Sequence, residues 1–199
     1  MNSDEDVFRF LLLASFAILM PFATYHRIRS FTGEKLDRIH EGLFTLVAVR
    51  LSGLISIIGL IMYVIDPRSM AWSSVVLPSW IRWSGIGLGV IAGVLVLWTM
   101  HSLGKNLTDT VVTRKLHTMV SGGPYRLVRH PFYVSVTLSL FANALAAANW
   151  FLLVTGLLFS GLIATRTRTE ERFLVERFGV EYRNYMDRTG RFFPKFRNW

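Results

Sequence analysis

A polar, glycine-punctuated stretch at residues 117–133 carries most of the groups with which this chain could do chemistry. It runs HTMVSGGPYRLVRHPFY and holds two histidines, two arginines, two tyrosines and two prolines. Tyr125 and Tyr133 present aromatic faces that stack on a planar ring or attract a cation. Pro131 suits the first turn of a helix, so the backbone N–H groups of residues 130–132 are expected to face an anion. The stretch therefore predicts binding of a ligand that is aromatic, cationic and carboxylate-bearing at once.

A second charged group follows the last apolar segment. Glu170 and Glu171 are adjacent there, and a carboxylate at this point is suited to accept hydrogen bonds from an amino or ribose hydroxyl group. The alternative is that both glutamates lie in an exposed helix start as solvated partners of the helix dipole. Arg166 and Arg168 bracket the same exit and are suited to clamp an anionic substrate.

Other kinds of catalytic centre have weaker support in the sequence. The chain has no cysteine, which excludes disulfides and thiolate metal sites. His101, His117 and His130 do not have the spacing of a zinc-binding helix, so we expect no metal. Ser121 and Ser135 have no convincing acid partner, and the G-x-S-x-G motif is absent.

The elements that must position these groups are apolar helices. Of the 199 residues, 52% are hydrophobic, and they come in long blocks. A bilayer core of ~30 Å needs about 20 apolar helical residues. Three runs approach that length and two are shorter: 7–25, 43–65 and 80–100, then 132–148 and 150–165. The pattern predicts an all-α membrane protein of about five transmembrane helices, of which the last two form a tight hairpin.

The residues after the last apolar run predict an amphipathic helical tail. Apolar residues recur on one face from Phe173 to Met186, and Gly179 is a plausible helix stop. A basic amphipathic segment beside a membrane lies in the interface. The tail is therefore expected on the cytoplasmic membrane surface, whether or not it also closes over a ligand.

The formal net charge of +9 follows the expected topology. Lys and Arg concentrate between the first two apolar runs, in the central connector and in the tail, and they favour cytoplasmic loops. We therefore expect an N-terminus outside, an active site on the cytoplasmic side, and contact with anionic lipids but not with nucleic acid. A bacterial or archaeal inner membrane and the endoplasmic reticulum fit equally well. Arg50, inside the second run, is a functional candidate or a snorkelling side chain.

The motif GPYRLVRHPFY closely resembles the signature of the isoprenylcysteine carboxyl methyltransferase family. The resemblance extends upstream to HTMV, and downstream to TRTRTEERFLVERFGVEYRNY at residues 165–185 and to RTGRFFP. It covers roughly the last 100 residues. Phospholipid N-methyltransferases are similar in the same places, and membrane sterol reductases are similar in part.

This resemblance implies one integral-membrane methyltransferase domain over residues 1–199, without a Rossmann fold. Residues 1–100 would be a three-helix membrane part, and 101–199 a catalytic core with cofactor loop, hairpin and tail. The implied cofactor is S-adenosylmethionine, with S-adenosylhomocysteine as product. Arg166 would face the substrate and, with Glu170, form the catalytic pair. The implied cofactor pocket consists of His117, Thr118, Met119, Val120, Tyr125, His130, Pro131, Phe132, Tyr133 and Glu170.

The implied reaction is methyl transfer to the carboxylate of a lipophilic, isoprenylcysteine-like small molecule or prenylated substrate. A carboxylate is already ionised and needs no general base, so positioning would carry most of the catalysis. The alternatives are methylation of a lipid amine, reduction with NADPH at the membrane and a non-enzymatic scaffold. The sequence leaves the natural acceptor and the oligomeric state open.

Overall fold

The computed structural model describes residues 3–29, 43–104 and 119–195, and the elements in these ranges are helices without a strand. The predicted all-α fold is thus confirmed. Two 3₁₀ helices, Pro67–Ser73 and Gly123–Arg126, lie in the connections. The α-helices are α1 Ser3–Arg29, α2 Leu43–Ile65, α3 Ser79–Leu103, α4 Pro131–Ala147, α5 Trp150–Phe178 and α6 Val180–Arg188.

Helices α1, α2, α3 and α5 are long and apolar enough to cross a membrane, whereas α4 has only 17 residues. Large apolar side chains cover their outer faces, as expected for helices that meet lipid. The chain is therefore a multi-pass membrane protein. The sequence predicted about five apolar helices. The described residues contain four of spanning length and one that is shorter.

The connection between α4 and α5 is the predicted tight hairpin. Ala148 adopts a left-handed conformation with φ 47°. Asn149 then caps α5, because its side-chain oxygen accepts from the Leu152 backbone N–H at 3.1 Å. Its amide group donates to Ser73 Oγ at 2.8 Å, which ties the hairpin to the neighbouring 3₁₀ helix.

Close contact between α3 and α4 depends on Gly85. A Cβ atom at this position would lie 2.7 Å from the backbone nitrogen of Ala146, so no larger residue fits. Gly85 therefore allows α3 and α4 to pack closely at this point.

A partly buried polar cluster joins four helices at the end of the bundle where α4 finishes. Arg82 donates to Glu5 at 2.8 Å and to the carbonyl oxygen of Ala146 at 2.9 Å. The Tyr63 hydroxyl lies between the same two side chains, donating to Glu5 and accepting from Arg82. Because each charge has a partner, the cluster locks α1, α2 and α3 to the end of α4.

The last long helix differs from its predicted extent. The hydropathy pattern predicts an end at residue 165, but α5 continues without interruption to Phe178. The reason is that residues 166–178 contain neither Gly nor Pro and are rich in strong helix formers. The helix ends as predicted at Gly179, which has φ +57°. The first part of the predicted tail is thus the end of α5, and Glu170 and Glu171 do not lie at a helix start.

Candidate active site

Three parts of the chain meet at the N-terminus of α4. They are residues 128–130, the last turns of α5 and residues 189–195, which we call the C-terminal strap. The backbone N–H groups of Arg129 and His130 donate to the carbonyl oxygens of Gly190 and Arg191, at 2.8 and 3.1 Å. The strap therefore lies directly over the start of α4.

Glu171 is the charged centre of this junction, and its side chain is only 4% exposed. The carboxylate accepts from Arg129 Nε at 2.8 Å and from Arg191 Nε at 3.2 Å, and it also contacts Nη2 of Arg191. Arg129 in turn donates to the carbonyl oxygens of Met186 and Thr189. Three elements are thus joined through one buried carboxylate, which is compensated by two guanidinium groups.

Glu170 occupies a more open position on the next face of α5. Its side chain is 28% exposed, and Oε2 accepts from the Tyr133 hydroxyl at 2.9 Å. The ring of His130 stacks parallel to that of Tyr133, with 5.5 Å between centroids. The two adjacent glutamates therefore differ in environment, since one is buried in ion pairs and the other borders the aromatic groups of the site.

Tyr125 lies near Glu170 and Tyr133 and is contacted by α6. The Tyr185 hydroxyl of α6 donates to the carbonyl oxygen of Tyr125 at 2.7 Å. Burial raises the pKa of Tyr125 well above its usual value, and the nearby charge of Glu170 raises it further. Burial also raises the pKa of Tyr185, to about 12. Both phenols are therefore neutral at physiological pH.

An apolar cavity of about 450 Å³ extends from this polar group between α4 and α5. Its volume lies in the range of small-molecule sites. Tyr133 lies at its polar end, and Phe192 and Phe193 of the strap also line it. The remaining lining residues are Val134, Thr137, Leu138, Phe141, Leu153, Gly156, Leu157, Ser160, Ile163 and Ala164.

Comparison with known proteins matches residues 85–176 to the isoprenylcysteine carboxyl methyltransferase (ICMT) family. We call residues 85–176 the ICMT-family segment, which is somewhat less than half of the chain. The matched segment runs from α3 to the last turns of α5, so it contains both glutamates, His130 and Tyr133. The resemblance found in the sequence motifs is thereby confirmed.

Three curated relatives share parts of the chain. A cobalt-zinc-cadmium resistance protein of Cupriavidus metallidurans is 34% identical over 57% of this chain and 54% of its own length. A protein-S-isoprenylcysteine O-methyltransferase of Saccharomyces cerevisiae is 32% identical over 52% of this chain and 46% of its own. A methanethiol S-methyltransferase of Pseudomonas deceptionensis is 36% identical over 37% of this chain and 27% of its own. The aligned part spans about half or less of each relative.

Most of the predicted cofactor-binding residues of the ICMT-family segment fall together. Tyr125, His130, Tyr133 and Glu170 form one group, and Pro131 is buried at the first position of α4, as predicted. The Phe132 ring lies 6.2 Å from that of Tyr133. Met119 and Val120 are half-buried where the described chain resumes. His117 and Thr118 lie outside the described residues.

The prediction that the backbone N–H groups of residues 130–132 face an anion is wrong in part. The His130 N–H is already bonded to Arg191 in the strap, and Pro131 has no N–H. Sequence reasoning missed this because the strap lies about 60 residues further along the chain. The start of α4 is therefore not an open anion site.

The expected clamp of two arginines is also wrong. In an α-helix, residues two apart point to different faces, and α5 is continuous through Arg166 and Arg168. Arg168 is exposed, whereas Arg166 is half-buried, and its charge acts on the Tyr133 phenol. Arg166 alone is thus a candidate for contact with a substrate.

The structure brings further side chains to the candidate site in positions that the sequence did not predict. Glu171 and Arg129 join the elements of the site, and the strap adds Arg191 with two phenylalanines. The available signals were the doubled glutamate and the motif RTGRFFP, neither of which indicates burial. Within residues 3–29, 43–104 and 119–195, no three His, Asp or Glu side chains converge on a possible metal position.

Proposed function

We propose that this protein is a membrane methyltransferase that uses S-adenosylmethionine to methylate the carboxylate of a lipophilic molecule. The observation that carries the proposal is the position of Tyr133, whose hydroxyl bonds Glu170 while its ring lines the apolar cavity. A polar ligand and an apolar ligand would therefore meet at one residue. The ICMT-family match and the two relatives named as methyltransferases support the same reaction class.

The residues present have the chemistry that S-adenosylmethionine requires. Glu170 is partly exposed and uses one oxygen for Tyr133, so its carboxylate can accept further hydrogen bonds from an ammonium or hydroxyl group. The aromatic faces of Tyr125, Phe132 and Tyr133 suit an adenine ring or a sulfonium. We assign the cofactor to this group of residues, with His130, Pro131, Met119 and Val120 beside it and His117 and Thr118 as further contacts.

When bound, S-adenosylmethionine would supply an electrophilic methyl group to the acceptor's carboxylate oxygen, and S-adenosylhomocysteine would leave as the carbon–sulfur bond breaks. The protein's own residues then have to position the acceptor and exclude water. Arg166 is the group we assign to the acceptor carboxylate, because a guanidinium binds such a group through two hydrogen bonds. Such positioning is worth up to ~7–11 kcal/mol of the barrier, and no side chain needs to act as a base for an ionised acceptor.

The cavity is our assignment for the acceptor's lipid tail. Its rim residues Phe141 and Leu157 are 40% and 56% exposed on the outer surface of the bundle, where they would meet bilayer lipid. A tail would enter sideways between α4 and α5 without leaving the membrane. From Tyr133 to Phe141 the groove follows two turns of α4, which corresponds to roughly 12 Å. This length suits a prenyl or single acyl chain.

The orientation in the membrane is part of the proposal. Arg166, Arg168 and the basic residues of α6 and the strap lie at the same end of the bundle as His130. Lys and Arg favour the cytoplasmic side, so we place the active site there and the N-terminus outside.

The experiment that tests the function is methyl transfer by the full-length chain in nanodiscs. Radiolabelled S-adenosylmethionine is supplied with a farnesylcysteine analogue or with phosphatidylethanolamine as acceptor. An alkali-labile product from the farnesylcysteine analogue is expected, because esters hydrolyse in base. An alkali-stable product from phosphatidylethanolamine would show that the methyl acceptor is an amine and would overturn the proposal of a carboxylate acceptor. Absence of S-adenosylhomocysteine binding by calorimetry would overturn the methyltransferase proposal as a whole.

A further inference from the structure

The imidazole of His130 lies between the two adjacent glutamates, with one ring nitrogen toward each. Nε2 lies 3.1 Å from Oε1 of Glu171, within hydrogen-bond distance. Nδ1 lies 3.8 Å from Oε2 of Glu170, which is too far for a hydrogen bond. Burial of the ring and its parallel stacking on Tyr133 hold this orientation.

Glu171 determines which ring nitrogen carries the proton. A carboxylate only accepts hydrogen bonds, so Nε2 must be the donor in this contact. In a neutral imidazole with Nε2 as the donor, the one proton is on Nε2 and Nδ1 carries a lone pair.

We propose that Glu171 is a positioning residue that holds His130 in the Nε2–H tautomer, so that Nδ1 and the Glu170 carboxylate together bind the ammonium group of S-adenosylmethionine. The inference rests on the cofactor assignment of the proposed function. Two acceptors 3.8 Å apart can share one donor nitrogen, since each such bond needs only about 2.8 Å. An ammonium group has three donors and would bridge the two acceptors while neutralising Glu170.

The first test observes the tautomer in the wild-type chain. Protein labelled with ¹⁵N-histidine is studied by NMR in nanodiscs, and His130→Asn assigns the His130 signals among the five histidines. We expect two widely separated ring nitrogen shifts at pH 7, with the attached proton on Nε2. A proton on Nδ1, or two similar shifts as in an imidazolium, would overturn the proposal without any mutation of the junction.

The second test is a double-mutant cycle read out by calorimetry with S-adenosylhomocysteine, which carries the same ammonium group. Glu171→Gln is expected to weaken binding about 10-fold, which is the scale of one charge-assisted hydrogen bond. In His130→Asn the side-chain amide lies near the former Nδ1 position. Its oxygen accepts a hydrogen bond without depending on a tautomer, so Glu171 is no longer needed to set the acceptor. Adding Glu171→Gln to His130→Asn should therefore cost little more, because both changes act through one ring.

Additive losses would overturn the proposal, because they would mean that Glu171 serves only to hold the strap. Glu176→Gln, an exposed change one to two turns further along α5, is the matched control and should bind like wild type. Thermal melting shows whether each variant folds. If Glu171→Gln does not fold, the wild-type NMR result decides the proposal alone. A chain with the Nε2–H tautomer that does not bind S-adenosylhomocysteine would refute the cofactor assignment, whereas binding with a different tautomer would refute only this inference.

Discussion

The Tyr133 hydroxyl donates a 2.9 Å hydrogen bond to Glu170, although the two residues lie on different helices, 37 positions apart. The same tyrosine ring forms the polar end of the apolar cavity between α4 and α5. The bond therefore joins the residues that we assign to the cofactor with those that we assign to the lipid tail.

Removing this hydroxyl should weaken the cofactor site and leave the cavity intact. Tyr133→Phe keeps the ring and loses one hydrogen bond to a charged group, which is worth ~1.5–3 kcal/mol. We expect S-adenosylhomocysteine to bind roughly 10-fold more weakly, while the KM for a lipid acceptor changes little. Calorimetry and steady-state kinetics measure the two quantities. Tyr25→Phe, on the exposed surface of α1, is the control.

Substitution of the two adjacent glutamates should have different effects: one should lower stability and the other should weaken cofactor binding. Glu171→Ala leaves Arg129 buried beside an empty position and is expected to destabilise the protein by ~3–5 kcal/mol. Glu170→Ala removes a partly exposed carboxylate, so it should change the melting temperature little but abolish detectable S-adenosylhomocysteine binding. Thermal unfolding in detergent and calorimetry test the pair. Equal melting temperatures would contradict the buried role of Glu171.

Filling the cavity should affect only the lipid acceptor. Thr137→Phe places a large ring in the middle of the cavity wall on α4. We expect the KM for a farnesylcysteine analogue to rise at least 10-fold, on the order of 1.4 kcal/mol, because the tail loses its place. Binding of S-adenosylhomocysteine should stay at the wild-type level. Leu158→Phe, on the exposed side of α5 and outside the cavity, serves as the control.

The contact between α6 and the loop before α4 should survive alkaline pH. Burial raises the pKa of Tyr185 to about 12, compared with about 10 for an exposed tyrosine. A raised pKa means that the stabilising contribution is complete below pH 10 and is lost as the pH rises through 12. The phenolate absorbance that disappears in Tyr185→Phe should therefore titrate near pH 12. A midpoint near pH 10 would mean that the tyrosine is exposed and that α6 is not docked.

Local signals in the sequence determined where most elements begin and end. Pro131 starts α4 because its ring presets φ and its missing N–H costs nothing there, and Gly179 ends α5 because it tolerates a positive φ. The lengths of the apolar runs similarly predicted the membrane helices, since the bilayer sets that length. The exception is α5, whose end hydropathy did not predict. The residues after its apolar run still favour a helix, so the helix extends to Phe178.

The tertiary structure alone decided where the side chains of the candidate site lie and what they contact. Glu170 and Glu171 are neighbours in sequence, yet a helix turns by about 100° per residue, so only one of them is buried in ion pairs with Arg129 and Arg191. Which one depends on how α5 packs against α4 and the strap. Likewise, Arg191 and Phe192 reach His130 across some 60 residues. Such contacts follow from packing between distant segments, whereas helix starts and stops follow from each residue and its nearest neighbours.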